Sequence, residues 1–323
     1  MGGKVVEQLK KKILNGGEIN KAEACLLAEA DLNELMSAAN EIREKMCGNT
    51  FDICTIINGK SGRCSENCRY CAQSACYNTR VDEYPLLPAE QMVKQAQYNK
   101  DRGVLRFSIV TSGRALSDTE VDKVCEAVRQ IRRETGIKVC ISGGLMNERQ
   151  FKRLHAAGAD RVHNNLETSQ NYFPQVCTTH TYEDKKNAIR AAMAAGMSVC
   201  SGGIIGLGES MEDRIDLAMT VRELGILSMP VNVLCPVKGT PYENNPVLSE
   251  EEAARTVAII RFINPKAAIR MAGGRANMAD EGRMCFKAGA NAAISGDMLT
   301  TSGYTIAKDM KMIGELGFKT GLL

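Results

Sequence analysis

From residue 51 onward the chain alternates short apolar runs with longer stretches in which apolar residues recur every three or four positions. Runs of strand length occupy 51–57, 104–110, 137–142, 160–165, 197–204, 228–234, 267–272 and 291–294. Helical periodicity fills 89–100, 118–134, 148–157, 183–195, 211–224, 250–263 and 280–288, and a last helix, 306–316, follows the eighth strand. Strands alternating with amphipathic helices imply parallel pairing, because each return to the start of the sheet needs a crossover. Several helices stop at glycine, as at Ala157-Gly158, Ala195-Gly196, Leu224-Gly225 and Ala288-Gly289, the residue that most readily takes the left-handed turn ending a helix. Eight such rounds predict an α/β protein built as a closed (β/α)8 barrel of the TIM type.

The first 49 residues read differently. Val5, Leu9 and Ile13 share one helical face, and Asp31 precedes a second amphipathic run, 32–47, in the position of a helix cap. The chain therefore divides into a helical extension, 1–49, packed on one end of a barrel, 50–323. No linker, low-complexity tract or charge run marks a further domain.

Within a barrel strand, alternate residues face the interior and the surrounding helices. Parity assigns the aliphatic residues of each run to the helices. The interior then receives Cys54, Arg106, Ser108, Cys140, His163, Asn165, Cys200, Asn232 and Arg270. An ordinary barrel is filled with Val, Ile and Leu, and polar or thiol groups there are costly unless they bind something. The alternative is that the cysteines are simply packed, since cysteine is often buried as a small hydrophobe.

Composition narrows the setting. The net charge of +3 on 323 residues argues against a nucleic-acid or anionic-membrane partner. No apolar run is long enough to span a bilayer, and lysines occupy the stretch where a signal peptide needs its apolar core. A cytoplasmic protein is expected. Thirteen cysteines in a reducing compartment point to metal binding rather than disulfides.

Three of those cysteines are tightly spaced. Arg63-Cys64-Ser65-Glu66-Asn67-Cys68-Arg69-Tyr70-Cys71 reads C-x3-C-x2-C, in the loop after the first strand. Three thiolates can fold around one iron–sulfur cubane and leave its fourth iron open to a small chelating molecule. Zinc sites favour paired C-x2-C units, and bacterial ferredoxins add further cysteines at fixed spacing; neither pattern is met.

With Tyr70 before the last cysteine, this loop resembles that of the radical S-adenosylmethionine enzymes. Within that superfamily the chain is similar to the biotin synthase family. The likeness is carried by 63–73, by Cys200-Ser201-Gly202-Gly203-Ile204-Ile205-Gly206-Leu207-Gly208-Glu209, by Lys238-Gly239-Thr240-Pro241 and by 284–291. Asn165-Leu166-Glu167-Thr168-Ser169 and Leu299-Thr300-Thr301 also match.

The resemblance implies that Cys64, Cys68 and Cys71 hold a 4Fe-4S cluster whose open iron chelates S-adenosyl-L-methionine. An electron from that cluster cleaves the sulfonium to a 5′-deoxyadenosyl radical, which removes hydrogen from C9 and C6 of dethiobiotin. An auxiliary iron–sulfur cluster, of the 2Fe-2S or a larger four-iron type, donates the sulfur. Cys140, Cys200 and Arg270 match auxiliary-cluster ligands, and so act as catalytic residues. The family's third cysteine falls at Ser108. Inward-facing Cys54 either restores that thiolate, as in a subset from strict anaerobes, or is a packed thiol. Arg270 is either a ligand or the partner of a buried carboxylate, with Arg106 beside it. Cys235 is a weaker candidate that the parity of Asn232 points outward.

The resemblance also places Tyr70, Asn165, Glu167, Ile204 and Glu209 around S-adenosylmethionine, and His163, Asn165 and Asn232 around dethiobiotin. It implies a flavodoxin or ferredoxin reductant and a homodimer. His155 and His180 read as surface or loop histidines, and Cys76, Cys125, Cys177 and Cys285 as incidental. The rivals are barrel enzymes like methylornithine synthase or the hydrogenase maturase, and a non-catalytic iron–sulfur electron carrier.

Overall fold

A computed structural model describes residues 2–296 and 304–323. The Leu299-Thr300-Thr301 motif lies outside the described residues. Among the described residues ten strands form: β1 Thr50–Lys60, β2 Arg106–Thr111, β3 Lys138–Ser142, β4 Arg161–His163, β5 Ser198–Cys200, β6 Gly203–Ile205, β7 Ser228–Val233, β8 Ala268–Met271, β9 Ala292–Ser295 and β10 Lys319–Thr320. These strands pair with one another in parallel, in the order β5-β4-β3-β2-β1-β9-β8-β7-β6, with β10 added to the start of β1.

The two ends of that order are neighbours in sequence. The predicted fifth strand, 197–204, is two short strands: β5 pairs with β4 and β6 with β7. The break is enforced by close backbone approach. A Cβ on Gly202 would stand 1.9 Å from the Pro230 carbonyl oxygen, and one on Gly203 would stand 2.2 Å from that of Glu167. Ser201 N–H donates to Ser228 O (3.0 Å) and Glu167 N–H to Gly202 O (3.1 Å), so the segment is held from both sides and the curled sheet meets itself there. The fourth strand is likewise shorter than its predicted span, 160–165, ending at His163, where the chain turns to make these contacts.

Helices cover the outside. Their starts are set by side-chain caps: Ser117, Asn147, Thr181 and Ser210 each accept from a backbone N–H three residues on, and Glu120, Gln150, Asp184 and Asp213 return the bond. The predicted helix at 280–288 contracts to Arg283–Lys287, and a short helix, Phe173–Val176, arises in the loop after β4. Val6, Leu9, Ile13, Leu35 and Ile42 of the N-terminal helices join the same continuous apolar core as Phe51, Phe107 and Ile269. No helix among the described residues is long and apolar enough to cross a membrane.

Candidate functional site

Strand register brings the polar residues to one interior. Cys54 lies opposite Arg106 and Ile56 opposite Ser108. Ser108 faces Cys140, Cys140 faces Arg161, and His163 faces Cys200. All nine residues assigned inward by parity line one cavity of about 370 Å³, within the size range of small-molecule sites.

Two further interior residues follow the same parity and were missed. Asp52 stands two positions before Cys54 and is fully buried; Arg161 stands two before His163 and lines the cavity. Cys235 also lines the cavity, against the outward direction read from Asn232. β7 ends at Val233, so strand alternation no longer governs position 235, and Asn277 Nδ2 donates to its sulfur (3.1 Å).

The deep end of the cavity is charged. Arg270 Nη2 lies 3.1 Å from Asp52 Oδ2, and its Nη1 donates to Asp52 O (2.9 Å), Ala293 O (3.1 Å) and Cys54 Sγ (3.3 Å). Burial opposes the Arg270 charge, but Asp52 and the neighbouring thiols outweigh it and strengthen the guanidinium's hold on its proton. Arg106 Nε is buried with no hydrogen-bond partner, a donor aimed where a ligand would satisfy it.

The interior thiols differ. Burial and nearby Cys200 push Cys140 up to about 12, despite a bond from Ser108. Burial also raises Cys54, with Arg270 opposing. Burial alone would raise Cys200 too, but its hydrogen bond with His163 and the charges of His163, Arg270 and Arg161 pull it down to about 6. Ser228 Oγ donates to the same sulfur (3.2 Å). Thiolates are the metal-binding form, and an interior with three buried cysteines and unsatisfied guanidinium donors fits an anionic iron–sulfur cluster.

At the open end, Cys64 and Cys71 line the cavity. Their loop is pinned by Cys64 N–H to Gln73 O (3.0 Å), Ala75 N–H to Cys64 O (2.8 Å) and Cys71 N–H to Cys68 O (3.0 Å). Three free cysteines on one pinned turn are a donor set that fits a cubane with one open iron. Cys68 is not among the cavity's lining residues and packs against the apolar core. Its sulfur and the donor atoms of Cys177 and His180 all lie within 4.8 Å of one another. His180 lies in a loop, as expected, but not at the surface. It is buried, with Nδ1 2.5 Å from Glu66 Oε2 and 3.3 Å from Cys177 Sγ, because Asn67 Oδ1 ties down the N–H groups of Thr178 and Thr179. Sequence alone carries no periodicity in this loop that would reveal it.

Beside the loop, Tyr70 packs on an apolar patch of Val176, Ile204, Leu207, Leu234 and Tyr242, and burial, with Glu167 nearby, raises its phenol. Glu167 takes φ 72°, a costly region for a non-glycine residue, because its N–H and C=O are both engaged, by Gly202 O and Ile204 N–H. Its Oε2 is buried without a partner. Asn165 Oδ1 accepts from Gly202 N–H (3.2 Å). Asn232 spans Gly203 O (3.0 Å) and Gly273 N–H (2.9 Å). Glu209 lies behind the glycine-rich turn, accepting from Gly206 N–H (2.9 Å), Leu207 N–H (2.7 Å) and Arg214 Nε (2.6 Å).

The chain matches the radical SAM superfamily model over residues 58–221 and the biotin and thiamin synthesis associated domain over 230–319. It is 56% identical over 317 residues to a biotin synthase of Brachyspira hyodysenteriae, covering 98% of this chain and 95% of that one. Identity to biotin synthase 2 of Corynebacterium diphtheriae is 57% over 318 residues, covering 98% and 96%. Solved structures that share the fold include methylornithine synthase (TM-score 0.84, 20% identity, 97% of each chain). The FeFe-hydrogenase maturase of Carboxydothermus hydrogenoformans also aligns (TM-score 0.82, 16% identity, 98% of this chain and 79% of that one). Those two likenesses speak for the barrel alone, whereas the curated relatives match at more than half of all positions along nearly the full length. The chain belongs to the biotin synthase family of radical S-adenosylmethionine enzymes.

Proposed function

We propose that this chain converts dethiobiotin to biotin by inserting sulfur between C6 and C9, with the two thiol sets of its cavity dividing the work. The observation that carries the reading is that Cys64 and Cys71 line the same cavity as Cys54, Cys140 and Cys200. A substrate between the two sets reaches both without entering bulk water.

In this reading Cys64, Cys68 and Cys71 hold the 4Fe-4S cluster, and Cys140, Cys200 and Cys54, with Arg270 beside them, hold the auxiliary cluster. When bound, the clusters and S-adenosylmethionine would supply radical chemistry, with the electron drawn from an external reductant, and the sulfur. The protein's part is position and enclosure. Tyr70 and Ile204 offer an apolar face to the adenine, and Glu167, with its unpartnered oxygen, accepts from the ribose hydroxyls. Glu209 acts from beneath by fixing the Gly206–Leu207 turn. His163 and Asn165 face the ureido ring, where an amide both donates and accepts. Asn232 keeps both of its amide atoms on backbone partners and shapes the wall there. Arg106 and Arg270 oppose the negative charge of the cluster.

By the same family likeness, the reading extends to a flavodoxin or ferredoxin as reductant, a homodimer, a cytoplasmic setting, and residues 1–49 as a helical extension of the barrel. Incubating the reconstituted chain anaerobically with dethiobiotin, S-adenosylmethionine and reductant tests it. Biotin should accumulate together with 5′-deoxyadenosine. Absence of both biotin and dethiobiotin-dependent deoxyadenosine would overturn the reading.

A further inference from the structure

We propose that Cys68, Cys177 and His180 form a second metal site, of zinc type, which shares Cys68 with the loop and so cannot be filled together with the 4Fe-4S cluster. The three donor atoms already lie within 4.8 Å of one another. A tetrahedral zinc with bonds of about 2.3 Å to sulfur and 2.0 Å to nitrogen needs donors about 3.5 Å apart, so side-chain rotation suffices. Cys177 Sγ and His180 Nδ1 stand at 3.3 Å.

The surroundings are those of a metal-bound imidazole. The same Nδ1 lies 2.5 Å from Glu66 Oε2, itself held by Thr179 Oγ1 at 2.7 Å, so a zinc on that nitrogen meets a carboxylate oxygen placed to be its fourth donor. His180 Nε2 is buried with no partner, so the ring has unspent donor capacity where water does not reach. Two thiolates and an imidazole are soft enough to select zinc over magnesium or calcium. Binding releases the thiol protons and needs no redox partner. Neither Cys177 nor His180 lines the reaction cavity, and the proposed reaction leaves both unused. The mutual exclusion rests on Cys68 being a cluster ligand, as proposed above; the zinc site itself does not.

The test uses the full chain without clusters, kept anaerobic and titrated with zinc chloride against a chromophoric chelator. One zinc per chain is expected. Cys177→Ser and His180→Ala should each weaken it by at least about tenfold, while the double variant Cys64→Ser/Cys71→Ser should leave it within about threefold. X-ray absorption at the zinc edge of the wild-type chain should show two sulfur and two nitrogen or oxygen neighbours, a result independent of how the variants fold. Three sulfur neighbours, or loss of zinc in the double variant alone, would assign the metal to the cysteine loop and overturn the site. Zinc-loaded chain should take up no iron–sulfur cluster. A cluster loaded beside retained zinc would overturn the exclusion, and with it the place of Cys68 in the cluster, while the zinc site stands.

Discussion

Arg270 and Asp52 form an ion pair inside the barrel, Nη2 to Oδ2 at 3.1 Å, with the guanidinium 2% exposed and the carboxylate sealed. Of the two readings of Arg270 open at the level of sequence, the structure shows the partner of a buried acid, and the same guanidinium reaches the Cys54 sulfur. Burial by itself would raise the Asp52 carboxyl, but Arg270, Arg106 and Arg161 outweigh it and hold it below its ordinary value.

Replacing Asp52 by Asn strands that guanidinium. The expected loss is about 3–5 kcal/mol at neutral pH, the usual result of removing one partner from a buried pair, read by guanidinium denaturation of the cluster-free chain. A depressed carboxyl stabilises fully above its unfolded value near 3.9 and loses that contribution as pH falls through the lower folded value. The gap between wild type and Asp52→Asn should therefore close below about pH 4. A gap unchanged at pH 3 would show that the charge is not its source.

Cys54→Ala removes the thiol that Arg270 contacts. Mössbauer spectra of the reconstituted variant should lose the auxiliary cluster and keep the 4Fe-4S signal. Adding Ser108→Cys, opposite Cys140, should restore part of it. An intact auxiliary signal in Cys54→Ala would mean that this cysteine is only packing.

His163→Leu should raise the Cys200 thiol from about 6 to above the ordinary value of about 8.5, since burial then acts with less opposition. At pH 7 the wild-type sulfur is mostly thiolate and the variant mostly thiol. Absorbance near 240 nm, taken as the difference from Cys200→Ser, would measure it.

Gly202→Ala drives a methyl into the Pro230 carbonyl oxygen, 1.9 Å away. Backbone must move, at a cost of roughly 3 kcal/mol or more. Soluble yield and melting temperature should both drop; a variant as stable as wild type would show that the strand break tolerates side chains.

Glu209→Gln preserves shape and removes the charge shared by Gly206, Leu207 and Arg214. A stability loss of about 2 kcal/mol is expected, with S-adenosylmethionine bound roughly tenfold more weakly. Unchanged affinity, by equilibrium dialysis, would separate the turn from the cofactor.

The barrel and most of its interior were legible because strand alternation is a strict period of two, so Cys54, Cys140, Cys200 and Arg270 reach the interior by counting alone. Asp52 and Arg161 obey the same rule and needed only that it be carried one step earlier in each strand. Counting fails where strands end. Cys235 lies two residues past β7, and the fifth strand breaks at glycines whose neighbours are remote in sequence. The burial of the loop residue His180 was not legible for a related reason: it depends on Asn67 capturing the 178–179 backbone, a contact between loops more than a hundred residues apart.

The buried charges around Asp52 carry a consequence for the fold itself. Arg106, Arg161 and Arg270 all act on the Asp52 carboxylate, and Arg106 keeps a donor with nothing to bind. Like charges crowded in a low dielectric repel. An anionic cluster held there, as proposed above, would serve as the barrel's counterion as well as its reagent. Melting temperature should thus follow the charge of what fills the interior, and on the proposed reading it would fall as the sulfur is spent and the innermost layer of like charges is left to repel.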